Sequence, residues 1–285
     1  MREYRPLSRR EFISTSFGFA AISVASYSAW FEPFWIELSQ KSVDLGRTSR
    51  NCLRIAHLAD FHAYEKTPLS FIAQAINLAI EADPDIICLT GDYISFTLGR
   101  GDEYRKILKR LSDAKPTFAT LGNHDGGRWS AQAGGYPSVD PMVRVLEGAG
   151  IRVLRNQAVS LAVRSASYTL VGLDDYWSGT FDPNAAFVDT ANHHGARIVL
   201  SHNPDTKDEL ASYPWDLMLS GHTHGGQVKI PLLGITPILP VRDRRYVAGL
   251  YALENRFLHI TRGVGSTGGV RLNCPPEVSI LEILS

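Results

Sequence analysis

Five short polar clusters interrupt the 285-residue chain, each directly after an apolar run. They are Asp60-Phe61-His62, Gly91-Asp92, Gly122-Asn123-His124-Asp125, Ser201-His202-Asn203 and Gly221-His222-Thr223-His224. Carboxylate, imidazole and amide oxygen without thiolate form a mixed nitrogen and oxygen donor set. Such a set suits Mn, Fe, Zn or Co and does not suit an all-oxygen calcium site. In Asp60-x-His62 and His222-x-His224 the i, i+2 spacing places both side chains on one side of an extended chain. Seven potential ligands exceed the needs of one tetrahedral ion and fit two ions that share a bridging carboxylate. Taken singly, each residue reads as a capping Asp or a satisfied histidine. Taken together, buried polar groups at five strand ends need a shared partner.

The elements that must position these groups are legible as alternating patterns. Leu53 to Ala59, Asp85 to Thr90 and Thr117 to Leu121 read as buried strands. Pro68 to Glu81 reads as an amphipathic helix entered through its proline, and Tyr104 to Leu111 as a second helix. Further strands are expected at Ile151 to Leu154, Ala158 to Val163, Tyr168 to Leu173, Arg197 to Leu200 and Leu217 to Leu219. The tail is strand-rich, with Val247 to Leu253, Phe257 to Thr261 and Val278 to Ile283. Strand–helix alternation first and paired strands later predict an α/β (α+β) protein with two sheets packed together and helices outside. Ligands bind at the carboxyl ends of strands in such sheets, which is where all five clusters fall.

Composition is globular, with 44% apolar and 20% charged residues, and excludes a disordered chain. Lys plus Arg and Asp plus Glu both equal 29, so no global field attracts nucleic acid, and no nucleic-acid partner is expected. Cys52, Cys88 and Cys274 are odd in number and far apart, which gives no disulfide framework or zinc knuckle. Cys88 reads as a small core residue.

Ser8-Arg9-Arg10-Glu11-Phe12-Ile13 precedes an uncharged stretch from Ile13 to Phe31. Adjacent arginines before such a stretch match a twin-arginine export signal, so the twin-arginine machinery is an expected partner. Arg2, Arg5, Arg9 and Arg10 leave the N-terminus cytoplasmic and the body outside. Ser23-Val24-Ala25 is a passable cleavage site, but Trp30, Phe31, Phe34 and Trp35 resemble an interfacial belt and favour a retained anchor. Residues 1–47 are therefore read as signal or membrane anchor plus linker, and 48–285 as one domain. The expected location is the membrane, facing the periplasm or exterior. The alternatives are the cytoplasmic face of the inner membrane or a cytoplasmic protein with an apolar N-terminal helix.

The five clusters, in this order, resemble the calcineurin-like metallophosphoesterases, whose pattern is Asp-x-His, Gly-Asp, Gly-Asn-His-Asp/Glu, His and Gly-His-x-His. The resemblance spans roughly residues 53 to 285. A finer likeness, to the YaeI-type phosphodiesterase branch, rests on Ser-Arg-Arg-Glu-Phe, on the run from Pro214 through Gln227, and on Arg245 to Leu250, Thr261 to Gly265 and Arg271 to Cys274. It implies a four-layer αββα sandwich of two mixed sheets and a dinuclear centre. Asp60, His62 and His224 would hold one divalent ion, and Asn123, His202 and His222 the other, with Asp92 bridging. Manganese is the first expectation, with iron, zinc or cobalt as alternatives. His124 would protonate the leaving oxygen, and Asp125 would orient His124 through its other ring nitrogen. The implied activity is hydrolysis of a phosphodiester or pyrophosphate by metal-activated hydroxide.

The expected substrate is a small or lipid-linked phosphate ester. The same resemblance leaves a UDP-2,3-diacylglucosamine pyrophosphatase and a metal-free binding module as alternatives. A phosphoprotein phosphatase fits less well, because Gly91-Asp92-Tyr93 continues as Ile94-Ser95-Phe96. Outside the clusters, Arg245 and Arg262 are candidates for phosphate contact or for ion pairs that hold loops. His57 and His259 read as structural, and His193-His194 as loop residues. Asp174-Asp175 matches no cluster and stays outside the expected site. Trp129 and Tyr136 lie in a glycine-rich loop that either gates the site or is plain surface.

Overall fold

The structure, a computed structural model, describes residues 8–47, 51–188, 190, 195–230 and 235–285. The first sheet contains β1 (Glu37–Asp44), β2 (Cys52–Leu58), β3 (Ile86–Thr90), β4 (Thr117–Thr120), β5 (Arg152–Val153) and β12 (Glu277–Leu284), in the order β1-β12-β2-β3-β4-β5. The second contains β6 (Gln157–Val163), β7 (Ala166–Gly172), β8 (Ala196–Leu200), β9 (Leu217–Ser220), β10 (Gly249–Leu253) and β11 (Arg256–Ile260), in the order β10-β11-β9-β8-β7-β6. Both are mixed: β2, β3 and β4 run parallel while β12 lies antiparallel to β2, and β7, β8 and β9 run parallel while β6 lies antiparallel to β7.

Period-2 alternation inside strands that are apolar on both faces builds the layers. β2 turns Leu53 and Ile55 toward the second sheet and Ala56 and Leu58 toward helices. β3 does the same with Ile86 and Cys88 on one face and Ile87 and Leu89 on the other. Leu170, Ile198, Leu200, Leu217 and Leu219 of the second sheet meet the inward set. Outside the first sheet lie α2 (Leu69–Glu81), α3 (Gly101–Ala114) and α5 (Asp140–Gly148). α2 buries Phe71, Ile72, Ala75, Ile76 and Ala79, one stripe at helical spacing. The second sheet's outer face is covered thinly, by α6 (Pro183–Phe187), α7 (Thr206–Glu209) and the apolar side chains around Trp215. The expected αββα sandwich is the fold found.

Several boundaries differ for identifiable reasons. Pro68 is the extended residue before α2 rather than its first member. The helix expected over Tyr104–Leu111 begins earlier, where Asp102 and Glu103 complement its N-terminal dipole. The strand expected from Val247 begins at Gly249, because the Val247 carbonyl accepts the Thr223 hydroxyl instead of a ladder bond. Residues 37–44, read as linker, form the edge strand β1 in parallel register with β12. Only Val43 in that strand is buried, so no apolar alternation announced it. α5 and the short α4 (Arg128–Gln132) were not expected either. His193 and His194 lie outside the described residues.

α1 (Arg9–Trp30) is capped by Ser8, which exchanges hydrogen bonds with Glu11. It is long and apolar enough to cross a membrane, and its 22 residues span about 33 Å. Its foot is seated on the body. The Ser28 carbonyl accepts from the Arg271 N–H at 2.9 Å, the Glu32 carboxylate accepts from the Cys274 N–H, and the Phe34 ring meets Phe71 edge-on at 5.2 Å.

Arg271 is fully buried and gathers this region. Its guanidinium donates to the carbonyls of Cys274 at 2.9 Å, Arg262 at 2.8 Å and Gly263 at 3.2 Å, and also to that of Gly265. Removing a charged donor strands several buried carbonyls. Arg271→Ala is therefore expected to lose on the order of 3 kcal/mol or more of stability, read by denaturant titration. A loss below about 1 kcal/mol would show that water replaces the guanidinium.

Candidate metal centre

Each expected ligand stands just past a strand end. Asp60 and His62 follow β2, Asp92 follows β3, Asn123 follows β4, His202 follows β8, and His222 and His224 follow β9. Parallel strands in both sheets thus deliver their carboxyl ends to one edge, and residues from both sheets meet there. The chain turns sharply at these points. Asp60, His62, Asp92, His222 and His224 all have left-handed backbone, with φ of 54°, 45°, 56°, 70° and 50°. That conformation is costly for residues bearing a side chain and persists where the surroundings over-determine it. Space is equally constrained. A Cβ on Gly221 would lie 2.5 Å from Asp60 Oδ2, and one on Gly122 would lie 2.2 Å from Asp92 Oδ1.

The side chains form two lobes, Asp60 with His62 and His224, and Asp92 with His202 and His222. Asp92 Oδ2 lies 3.1 Å from His202 Nε2 and 3.4 Å from His62 Nε2, so it stands between them. Asn123 Oδ1 is buried and has no hydrogen-bond partner. All seven residues are at most 6% exposed.

Backbone carbonyls fix the ring tautomers. His202 Nδ1–H donates to the Thr90 carbonyl at 2.7 Å, and His222 Nε2–H donates to the Pro240 carbonyl at 3.0 Å. The remaining nitrogens, His202 Nε2 and His222 Nδ1, then point at each other across 3.2 Å. In the other lobe the Nε2 atoms of His62 and His224 are 3.1 Å apart, with Asp60 Oδ1 at 3.5 Å from the latter. Opposed acceptor atoms beside carboxylates need a cation between them, and these residues fit divalent metal ions.

The electrostatics record the cost of gathering these groups. Burial, reinforced by the Asp92 charge, pushes the Asp60 carboxyl up to about 7. Burial pushes His62 down to about 4, and burial with the neighbouring His202 pushes His222 down to about 3. Burial opposes a charge on His202 as well, but the carboxylates of Asp92, Asp60 and Asp175 outweigh it and carry His202 up to about 10. Without metal, one proton therefore occupies the space between His202, His222 and Asp92.

His124 is half-buried beside the lobes, 4.7 Å ring to ring from His62. Its backbone N–H donates to Asp92 Oδ1 at 2.9 Å, and its Nδ1–H donates to the Ser95 carbonyl at 2.7 Å. The expectation that Asp125 orients this ring is corrected. The Asp125 carboxylate accepts from the backbone N–H groups of Asp92 at 2.8 Å, Tyr93 at 2.7 Å and Gly122 at 2.7 Å. It is spent on pinning the two turns that carry Asp92 and Asn123. Burial and the Asp92 charge push its pKa up to about 8, against the pull of those donors. Ser95 takes the orienting role, and its hydroxyl also lies 3.2 Å from His62 Nδ1. A backbone carbonyl leaves no trace in residue type, so the sequence could not show it.

Other candidates resolve plainly. Arg262 pairs with Glu277 at 3.1 Å and Glu37 at 2.8 Å, and Arg245 with Asp243, so both hold loops. His57 and His259 are buried against each other at 3.0 Å between the sheets. Asp174 is bound by Arg155 at 2.9 Å, but Asp175 is buried near the centre, and burial pushes its pKa up to about 6. Tyr136 accepts from the Leu98 N–H. Trp129 lies tilted against His124 at 4.5 Å, Trp177 meets His222 edge-on at 4.6 Å, and the two indoles are 6.2 Å apart. Trp177 was missed, since a single tryptophan in a loop carries no pattern.

A cation entering the second lobe must displace the proton held at His202. Folded, metal-free protein keeps that proton below about pH 10, so metal loading at pH 7–9 releases at least one proton per chain and affinity rises with pH by about tenfold per unit. Calorimetry in buffers of differing ionisation enthalpy measures the release. A pH-independent affinity across that window contradicts the assignment.

Residues 53–226 match the calcineurin-like phosphoesterase family. The chain is 41% identical over 280 residues to "Phosphodiesterase YaeI" of Escherichia coli (strain K12), covering 98% of this chain and all of that one. It is 26% identical to "UDP-2,3-diacylglucosamine pyrophosphatase LpxG" of Chlamydia muridarum, covering 96% of this chain and 98% of that one. It is 27% identical to "Uncharacterized metallophosphoesterase YkuE" of Bacillus subtilis (strain 168), with 99% of both chains covered. The paired Asp and His lobes and these full-length likenesses agree: the chain belongs to the calcineurin-like phosphoesterase family and is a metal-dependent phosphoric ester hydrolase.

Proposed function

We propose that this enzyme cleaves a phosphodiester or pyrophosphate bond of a membrane-borne substrate, with Asp60, His62 and His224 holding one divalent ion, Asn123, His202 and His222 the other, and Asp92 between them. The observation that carries this reading is the position of Asp92 Oδ2, within 3.4 Å of ring nitrogens from both lobes. Two divalent cations held by these residues would supply a hydroxide nucleophile near neutral pH and would neutralise phosphoryl charge. Manganese suits the donor set, as iron, zinc or cobalt also would.

The chain's own residues do the rest. Thr90, Pro240 and Ser95 carbonyls hold His202, His222 and His124 in single orientations. With Nδ1–H committed to Ser95, His124 keeps its Nε2 free of that bond, and the ring groups with His62 and Asp92. From Nε2 it can donate a proton to the departing oxygen. Its backbone N–H on Asp92 Oδ1 ties the acid to the bridging carboxylate. Trp129 and Trp177 form an aromatic rim against His124 and His222.

α1 serves as a membrane anchor in this reading, and Arg9-Arg10 in its first turn as a twin-arginine export signal that places the body outside the cytoplasm. Full-length similarity to the pyrophosphatase relative favours a second reading, hydrolysis of the pyrophosphate of a nucleotide-linked lipid on the cytoplasmic face. A panel of monoesters, diesters and nucleotide-diphosphate lipids on metal-loaded protein separates the two.

His124→Ala is expected to retain about two metals per chain while losing on the order of a hundredfold to ten-thousandfold in rate, with less loss on nitrophenyl esters that need little protonation. His222→Ala is expected to lose metal and to fail on good and poor leaving groups alike. Elemental analysis and leaving-group dependence of both variants check this, and equal metal loss from the two would remove His124 from its role. For export, a reporter fused after residue 50 should leave the cytoplasm, and Arg9→Lys with Arg10→Lys should retain it. Retention with the native arginines would place the enzyme on the cytoplasmic face.

A further inference from the structure

A cavity of about 700 Å³ opens beside the metal centre, walled mainly by Tyr64, Leu69, Ile94, Phe96 and Leu98, with Glu65 and Arg100 at its lining as well. Its volume falls in the range of small-molecule sites. Two of its walls are continuations of the catalytic segments. Ala63 and Tyr64 directly follow the ligand His62, and Ile94 and Phe96 flank Ser95, whose hydroxyl and carbonyl hold His62 and His124. Ala63 and Ile94 are bridged as neighbouring strand residues, so this wall is rigid. Phe96 is 52% exposed, an apolar side chain that nothing in the fold covers.

The opposite wall leads to the anchor. Pro68 and Leu69 open α2, and the Phe71 N–H donates to the Pro68 carbonyl. Phe71 in turn carries Phe34 at the foot of α1. Trp30, Phe31 and Trp35 around that foot are 71%, 66% and 62% exposed, as at a membrane interface. The Tyr64 hydroxyl donates to the Ser266 carbonyl at 3.2 Å, which holds this side chain in place at the cavity wall. The lining therefore links the start of α2, two residues before the Phe71 that carries the foot of α1, to Ala63 next to a metal ligand, with Glu65, Thr67 and Arg100 as polar groups along it.

We infer that this cavity seats the hydrocarbon tail of the substrate, an alkyl or acyl chain carried by the scissile phosphoester, delivered from the bilayer in which α1 stands. The inference rests on the phosphoester reading above and adds a substrate class to it. A free headgroup has no use for an apolar chamber of this size. A tail lying in it places the attached phosphate at the Ala63–His62 end, against the metal lobes.

The test uses the full chain in phosphatidylcholine nanodiscs, loaded with manganese, and a series of nitrophenyl alkyl phosphodiesters from ethyl to dodecyl. Each methylene taken into the cavity is worth up to about fourfold in kcat/KM. Partition into the bilayer raises the slope too, but equally for any variant, so the comparison is between proteins. Gly99 lines the cavity, a Cβ there meets nothing within 4 Å and its backbone is ordinary, so Gly99→Trp adds an indole to that wall without a clash at its Cβ. Thr97→Trp, at an exposed lining position, is the second filling variant. The expected result is a dodecyl-to-ethyl ratio at least tenfold lower in both variants than in the parent. Parallel slopes in all three proteins overturn the inference while leaving the phosphoester reading intact. Failure of the loaded parent on every ester would instead sink the phosphoester reading. Dodecylphosphonate binding then tests the cavity without turnover, where at least tenfold weaker binding by both variants is expected and equal affinity overturns it.

Discussion

Two carboxylates and four imidazoles are buried within a few ångströms of one another at one edge of this protein, and their mutual repulsion and desolvation must be held down by the rest of the fold. Neither sheet could do this alone. The first supplies Asp60, His62, Asp92 and Asn123, the second His202, His222 and His224, so the packing of Leu53, Ile55, Ile86 and Cys88 against Leu170, Ile198, Leu200 and Leu217 sets the distance between the lobes. A core that slipped would part His62 from His224 before it exposed any apolar surface. Interiors at crystal-like density resist such slippage, which is why a site assembled across a seam can be accurate.

Left-handed backbone at five of the ligands belongs to the same account. After a strand ends, an ordinary turn would carry the next side chain away from the edge. Reversing φ at Asp60, Asp92 and His222 folds the side chain back over the strand it follows, and the glycines at 122, 221 and 263 leave room for neighbouring turns to close over it. The Asp125 carboxylate accepts three N–H groups from these turns, and the Arg271 guanidinium serves carbonyls in the loop under Asp60. The Asp125 carboxyl and the Arg271 guanidinium thus satisfy backbone groups that the turns leave without ladder partners.

The sequence revealed most of what repeats and little of what does not. Strands β2, β3 and β4 announce themselves because both faces are apolar, and six of the expected ligands gather in two groups because each follows a strand, with Asn123 buried just past β4. β1 stayed hidden because an edge strand exposed on both sides carries no alternation, only Val43 facing inward. The orienting role expected of Asp125 failed for a related reason. A carboxylate adjacent in sequence to His124 looks like its partner, yet the side chains of consecutive residues at a tight turn point apart. The partner, the Ser95 carbonyl, is a backbone group that any residue type would supply. Trp177, Asp175 and the apolar chamber arise from loops brought together in space, and no local pattern encodes them.

The choice of carbonyls to orient His124, His202 and His222 has a consequence for the chemistry. A carboxylate behind an imidazole fixes its tautomer and also adds negative charge, which here would accumulate beside Asp60 and Asp92. A carbonyl fixes the tautomer at 2.7 to 3.0 Å with no added charge. More of the positive charge of two bound cations then remains unneutralised and faces the substrate. A phosphodiester is a weakly basic monoanion, and its attraction to the site depends on that residual charge. Arg245 and Arg262 add little to it, since they are committed to Asp243, Glu37 and Glu277. On the proposed reading, binding of the phosphate would fall to the metals, and binding of the remainder to the aromatic side chains and the cavity wall next to His62, a division that suits a substrate charged at one end and oily at the other.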